Sequence, residues 1–485
     1  MINLIKNEIT KIFKKKGIYI TFIITFLFVI LANLLCKYGS NFGGGDYYSD
    51  SYKDYLQVQI KKLDPTKVSD NSEYISLKTD LDIIEIQEKY GANSWQSNVV
   101  NEKVYPIINE YNSCKYALEK NEEALKQAEE NYNKYMNLLD TNDWKYFAKE
   151  DLSEVETKIK ENEESKKGIE DTVQLAQIDA QIYDYELQKQ VLNWRINKDI
   201  SYGTDASGAL STYYNEKLNV YNYEHDKSEK KYEDKVQYQY SLKKANEYEY
   251  AIEHDIKLST GNDFKGILED FFNNYELFIV IVIVMIAGSI VSEEFNKGTI
   301  KLLLVKPYSR TKILLSKFIT TFIVILIAVA VTILMQTIVG GIIFGFSDLN
   351  SPTVIYNLNT NSIIEMNIFK YIGVMLIHKL PLYILIATIA FAFSTAFTNT
   401  PIAIVISLLG YMSTSIINAL VTQFKVEFMK FFITPNWDFT QYAFGKLSTF
   451  EPVNFKFSVV ICIIYFVIMI VPTFIIFKKK NIKNV

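Results

Sequence analysis

Arginine is nearly absent from this 485-residue chain: only Arg195 and Arg310 occur, and lysine supplies the rest of the basic charge. With a net charge of −4 there is no basic surplus of the kind that binds nucleic acid. Histidine occurs three times, at His225, His254 and His378, too sparsely to build a metal centre or a catalytic triad. The three cysteines, Cys36, Cys114 and Cys462, fit no metal-ligand spacing, and their odd number excludes a full disulfide framework. The pattern G-x-x-x-x-G-K-[ST] is missing, so the chain has no phosphate-cradling loop of its own. G-x-S-x-G, H-E-x-x-H and C-x-x-C are missing too. A non-catalytic chain that carries no cofactor or metal is expected.

What is abundant is apolar, and it is unevenly placed. About 20 apolar residues are needed to cross a bilayer core. Six stretches qualify: residues 18–35, 277–291, 318–344, 375–397, 401–420 and 457–477. The second is short and can borrow Phe271 and Phe272. Ahead of the first, Leu4, Ile5, Ile9, Ile12 and Phe13 fall on one helical face with lysines opposite, the pattern of a helix lying in the membrane interface. The segment 18–35 is read as an uncleaved anchor: no A-x-A site follows it, and Leu34-Leu35 before Cys36 makes a poor lipoprotein box.

Lysine placement orients the spans. Lys11, Lys14, Lys15 and Lys16 precede span one, Lys297, Lys301, Lys306, Arg310, Lys312 and Lys317 lie between spans two and three, and Lys478, Lys479, Lys480 and Lys483 follow span six. With six spans, all three clusters share the cytoplasmic side. Residues 347–367 contain no Lys or Arg and are expected outside, whereas 421–456 contain four lysines and weaken the bias. Lys370, His378 and Lys379 near the start of span four are expected at the outer interface, with their lysines snorkelling; a charge held deeper would mark a transport pathway. Pro381 is expected to bend that span, and Pro401 to open span five after a tight turn at residues 398–400.

Residues 37–270 form a polar, Tyr-rich insert with a flexible opening at Gly43, Gly44 and Gly45. Steps of three and four link Tyr111, Cys114, Leu118, Asn121, Leu125, Ala128, Tyr132, Tyr135 and Leu139, and after an interruption at 141–144 they resume from Leu152 through Lys166 to Leu187. This predicts an antiparallel coiled-coil hairpin over about 108–195, its tip near 141–149 and its second helix capped by Asp151 or Ser153. That second helix would run roughly 65–70 Å at about 1.5 Å per residue. A loop at 203–208, a third helix over 209–258 and a helix over 74–90 are also expected, with no strand pattern in the insert.

The most informative segment is 292–318, SEEFNKGTIKLLLVKPYSRTKILLSKF. Glu293 and Glu294 suit the start of a short helix. Gly298 permits a turn, and Ser309 can cap the helix of span three. Ile300, Leu302, Leu303 and Leu304 are apolar beyond the end of a span and need either a partner surface or the lipid interface.

This segment resembles the loop of ABC-2-type transporter permeases, E-x-x-x-G-T-[IL]-x-x-L-L-x-x-P-x-S-R followed by a Lys-bearing helix. It matches at Glu294, Gly298, Thr299, Ile300, Leu303, Leu304, Pro307, Ser309, Arg310 and Lys317. The likeness extends to the six spans and their order, roughly half of the chain, and points to a subgroup with a large helical ectodomain. It implies an all-α integral membrane protein: an elbow helix at 1–16, span one at 17–36, an extracellular helical domain at 37–270, spans two to six at 271–477 with a cytoplasmic coupling loop at 292–317, and a cytoplasmic tail at 478–485. The function implied is that of the permease subunit of a bacterial exporter for a hydrophobic or amphipathic substrate, such as a peptide antibiotic or a lipid. Glu293, Glu294, Phe295, Gly298, Thr299, Ile300, Leu303, Leu304, Pro307 and Arg310 are the expected coupling residues. The implied partners are separate ATPase subunits, which would hold ATP and magnesium, a second permease subunit, and the lipid bilayer. An ATPase-independent receptor or secretion-system component with the same topology is the alternative.

Overall fold

The chain opens with two helices, α1 (Ile2–Phe13) and α2 (Lys16–Tyr38). The insert continues as α3 (Gly45–Ile60), α4 (Val68–Tyr90), α5 (Trp95–Val99), α6 (Tyr105–Lys115), α7 (Glu122–Asp140), α8 (Trp144–Ser165), α9 (Thr172–Asn197), α10 (Asp205–His225) and α11 (Tyr232–Glu253). After α12 (Phe264–Glu269) come α13 (Phe271–Ser289), the short α14 (Ser292–Asn296) and α15 (Ile300–Leu304), and the long α16 (Arg310–Phe344). A hairpin of β1 (Thr353–Asn357) and β2 (Ser362–Met366) precedes α17 (Ile368–Ala396), α18 (Thr400–Met412), α19 (Thr414–Phe424) and α20 (Phe455–Lys479). The structure, a computed structural model, describes residues 1–39, 45–91, 94–259, 263–304, 307–397, 399–424, 427–448, 450–451 and 453–480. Gly43, Gly44, Lys306, Thr398 and Lys483 lie outside the described residues, as do the side chains of Leu303 and Leu304.

Two compact units emerge. One holds Met1–Tyr38, Lys227–Lys243 and Ser259–Val485; the other holds Gly39–Asp226 and Lys244–Leu258. The first contains six helical segments long and apolar enough to cross a membrane: α2, α13, α16, α17, α18 with α19, and α20. α13, α16 and α17 are central and bury much of their surface; α2, α18–α19 and α20 leave Ile23, Leu27, Leu409, Ile463 and many like them uncovered. In water such stripes would be a large uncompensated apolar surface; in lipid they are solvated. Each expected span corresponds to one of these helices, and the second reaches back to Phe271 as anticipated.

Residues 347–367 are not all irregular. β1 and β2 pair antiparallel from Thr353 opposite Met366 to Asn357 opposite Ser362. The first four residues of β1 are all buried, so the strand shows none of the in–out alternation that marks one in a sequence. Gly445, at φ +84°, lies against the hairpin turn, where a Cβ would come within 2.7 Å of the Asn359 amide nitrogen.

In the second unit the expected hairpin tip at 141–149 is displaced. α7 folds back on α6, stacking Tyr132 on Tyr111 at 4.6 Å, and α9 folds back on α8. The reversals therefore fall at 116–121 and 166–171. Asn121, read as a seam position, is the N-cap of α7, its side chain accepting from the Ala124 amide. Lys166, also read as seam, ends α8; Gly168 at φ +94° turns the chain and Asp171 caps α9. α8 is capped by Asp143, while Asp151 lies inside it and pairs with Lys103. The helix expected over 209–258 is two, divided after His225, with Thr204 capping the first. Trp95, Val104, Ile108, Leu139 and Phe147 form one core here, and Leu187, Leu210, Tyr213 and Ile252 another.

Candidate functional site: a buried charge cluster where three helices meet

α1 buries Leu4, Glu8 and Ile12 along one face. Spacing of four places an acid in line with two apolar anchors, so the carboxylate is carried into the bundle with them. α13 ends at Ser289, and the next turn is redirected: the amides of Val291 and Ser292 both donate to Ser394 Oγ of α17, at 3.1 and 3.0 Å. That pins the start of α14 and aims Glu294 inward. From α16 comes Lys317, 1 % exposed and thus shut off from solvent. Its ammonium donates to Glu8 Oε2 at 2.7 Å, to the Ile290 carbonyl at 3.0 Å and to Glu294 Oε1 at 3.2 Å. All three of its donors are used. Lys11 closes the ring, 2.8 Å from Glu294 and 3.3 Å from Glu8.

Burial alone would raise the Glu294 carboxyl, but the Lys317 charge and hydrogen bonds from Lys11 and Thr299 hold it down to about 2. Burial opposes ionisation of Glu293 as well, yet Lys15 and Lys297 bring it below the ordinary carboxylate range. The acidic pair is thus divided between two lysine sets, Lys317 and Lys11 for Glu294, and Lys15 and Lys297 for Glu293. Mechanically, α14 is fastened to α1 and α16 by charge-assisted bonds, so a displacement of α14 must drag both or break the cluster.

The expected coupling residues separate accordingly. Phe295 and Ile300 are buried within the chain's own core rather than offered to a partner, because α14 and α15 fold against the bundle. Gly298 adopts φ +66° in open space and turns the chain between the two short helices. Thr299 hydrogen-bonds Glu294. Leu302 is 73 % exposed, and Pro307 is exposed. Arg310 donates to the carbonyls of Lys478 and Lys480, both at 3.0 Å, capping the end of α20. Ser309 caps α16 as expected.

Two polar groups escaped sequence reasoning. Lys379 does not snorkel: it is 3 % exposed and forms ion pairs with Glu276 of α13 and, at 2.7 Å, with Asp438. Tyr411 donates to the other Glu276 oxygen at 2.7 Å. The burial of Lys379 has a physical cause, since two carboxylates meet the ammonium where lipid would otherwise. Glu276, alone in an apolar stretch, was the available signal. The other group joins Asn33 of α2, Gln336 of α16 and Tyr275 of α13, with the two amides exchanging bonds of 2.9 and 3.1 Å.

Comparison with known proteins places these elements in a family. Residues 235–483, about half of the chain, match the model described as "Protein of unknown function (DUF2705)". Among similar proteins is "Uncharacterized protein YhcI" of Bacillus subtilis (strain 168), 30% identical over 236 residues, which cover 49% of this chain and 74% of that one. "Uncharacterized membrane protein YdbK" of the same organism is 28% identical over 229 residues, 47% of this chain and 87% of its own length. No solved structure matches. With six apolar helices and a family model spanning the last five of them, this multi-pass membrane protein belongs to the DUF2705 family.

Proposed function

We propose that the chain is the membrane-spanning subunit of an ABC-2-type exporter, driven by a separate ATPase that grips the segment 292–317. The observation that carries this reading is the Glu8–Lys317–Glu294 cluster directly behind the E-x-x-x-G-T motif. A loop that only sets topology has no need to lock a five-residue helix to two others by buried ion pairs. A loop that receives force does, because the link must be stiff to pass displacement to α1, α13 and α16. In this reading the lysine-rich ends and both termini are cytoplasmic, residues 37–270 are extracellular, and ATP and magnesium belong to the partner. The cargo class is hydrophobic or amphipathic, and a second permease subunit completes the pore.

The docking surface is narrower than the motif. Lys297, Leu302 and Pro307 are exposed, while Glu294, Phe295 and Ile300 hold the segment in shape. Leu302→Asp, on an exposed position, is expected to abolish co-purification with the ATPase and leave thermal unfolding unchanged. Glu294→Lys is expected to lose both. If Leu302→Asp keeps full ATPase binding, the assignment fails. The ATPase-independent receptor reading draws on the long insert, and it survives if no ABC-type ATPase is captured by the intact chain.

A further inference from the structure

We propose that the chain binds one anionic glycerophospholipid in the cavity between α1, the start of α2, the end of α13 and the start of α18. This cavity, of about 900 Å³, is divided by chemistry. One wall is apolar, made by Met285, Ile286, Ile290 and Ile404; the other carries Lys11, Lys14, Lys15, Lys16 and Lys297. Three carboxylates also line it, Glu8, Glu293 and Glu294, and each already has lysine partners. Lys14 and Lys16 have no ion partner among the described residues, so the wall holds a surplus of positive charge.

The location narrows the ligand. Lys16 is the first residue of a membrane-crossing helix, and Met285 lies in the last turns of another, so the cavity sits where lipid headgroups lie. Beginning one turn after Lys16, the side chains Ile20, Ile23 and Leu27 of α2 are uncovered and continue the apolar surface along the span. A phosphodiester at Lys14 and Lys16 with acyl chains against Ile404 and α2 satisfies both walls. A soluble anion would leave the apolar wall empty, and a zwitterionic lipid would leave the surplus charge uncompensated. The inference needs only the spans and the cavity, not the ATPase.

The test is lipid binding by the intact purified chain, read by native mass spectrometry and by thermal stabilisation with added phosphatidylglycerol or phosphatidylcholine. Phosphatidylglycerol is expected to bind and stabilise, phosphatidylcholine to do neither. The double variant Lys14→Gln/Lys16→Gln is expected to weaken phosphatidylglycerol binding about thirty-fold, from roughly fivefold per lysine near an anionic surface. Because these lysines also bias orientation, Lys14→Arg/Lys16→Arg serves as control and is expected to retain binding. Ile404→Trp, which fills the apolar wall, is expected to reduce it. Equal binding of both lipids, unchanged binding by the Gln variant, or displacement of the lipid by inorganic phosphate would each overturn the proposal. Failure of this test with ATPase capture intact leaves the exporter reading standing.

Discussion

Single charged residues inside the bundle decide much of its integrity. Removing Lys317 leaves Glu8 and Glu294 facing each other with only the half-exposed Lys11 to compensate them. Lys317→Met is expected to destabilise the chain by about 3–5 kcal/mol, measured by thermal unfolding in detergent. The triple variant Glu8→Gln/Glu294→Gln/Lys317→Met, which removes all three charges, is expected to recover most of that loss. A single variant as stable as the parent would show that the cluster contributes nothing. Glu294 also predicts an acid response. Its carboxyl is held at about 2 against an ordinary 4.5, so its stabilisation is complete above about 4.5 and disappears as pH falls through about 2. The stability gap between parent and Glu294→Gln should therefore close across that window and stay constant above it. Lys379→Met strands Glu276 and Asp438 in the same way and is expected to show a loss of similar size, relieved by adding Glu276→Gln and Asp438→Asn.

At the level of elements, two of the glycines held at positive φ turn the chain between helices. Gly168 and Gly298 both occupy positive φ, at +94° and +66°, with nothing near the position of a Cβ. Substitution by Ala meets no steric obstacle beyond the backbone, so each change is expected to cost about 1 kcal/mol. For Gly168→Ala the effect should be confined to the α8–α9 reversal, where hydrogen exchange would detect faster opening. An effect of Gly298→Ala on ATPase binding with unaltered exchange in α14 would contradict its role as a turn. These elements also show what could be read in advance. The membrane helices were legible because long apolar runs have one physical outcome. The helix α1 was legible from its 3.6-residue periodicity, but that periodicity gives no sign that Glu8 shares its buried face. The insert was harder, because a heptad stripe is indifferent to whether a helix continues or reverses. Asn121 and Lys166 matched seam positions while acting as helix ends, and only cap geometry separates the two. The β-hairpin was hidden because its first strand is covered on both faces.

For the whole molecule, the division into two units predicts separable folding. The insert has cores of its own around Phe147 and Leu210, both fully buried. A fragment of residues 45–258, which carries nearly all of the second unit together with residues 227–243 of the first, is expected to be soluble, helical by far-ultraviolet circular dichroism and cooperative in thermal unfolding. A fragment that melts without a transition would show that the insert needs the rest of the chain. The buried amide pair of Asn33 and Gln336 has a consequence for biogenesis. The partners are 303 positions apart, so a ribosome adding about 5–20 residues per second needs roughly 15–60 s to deliver the second after the first. During that interval Asn33 has its own helix as a local partner, the Val29 carbonyl at 2.7 Å, for one of its groups. The first helix is thus held back from its final seat until the third arrives, and the cell's insertion machinery must shelter a half-satisfied amide while the whole insert is being made.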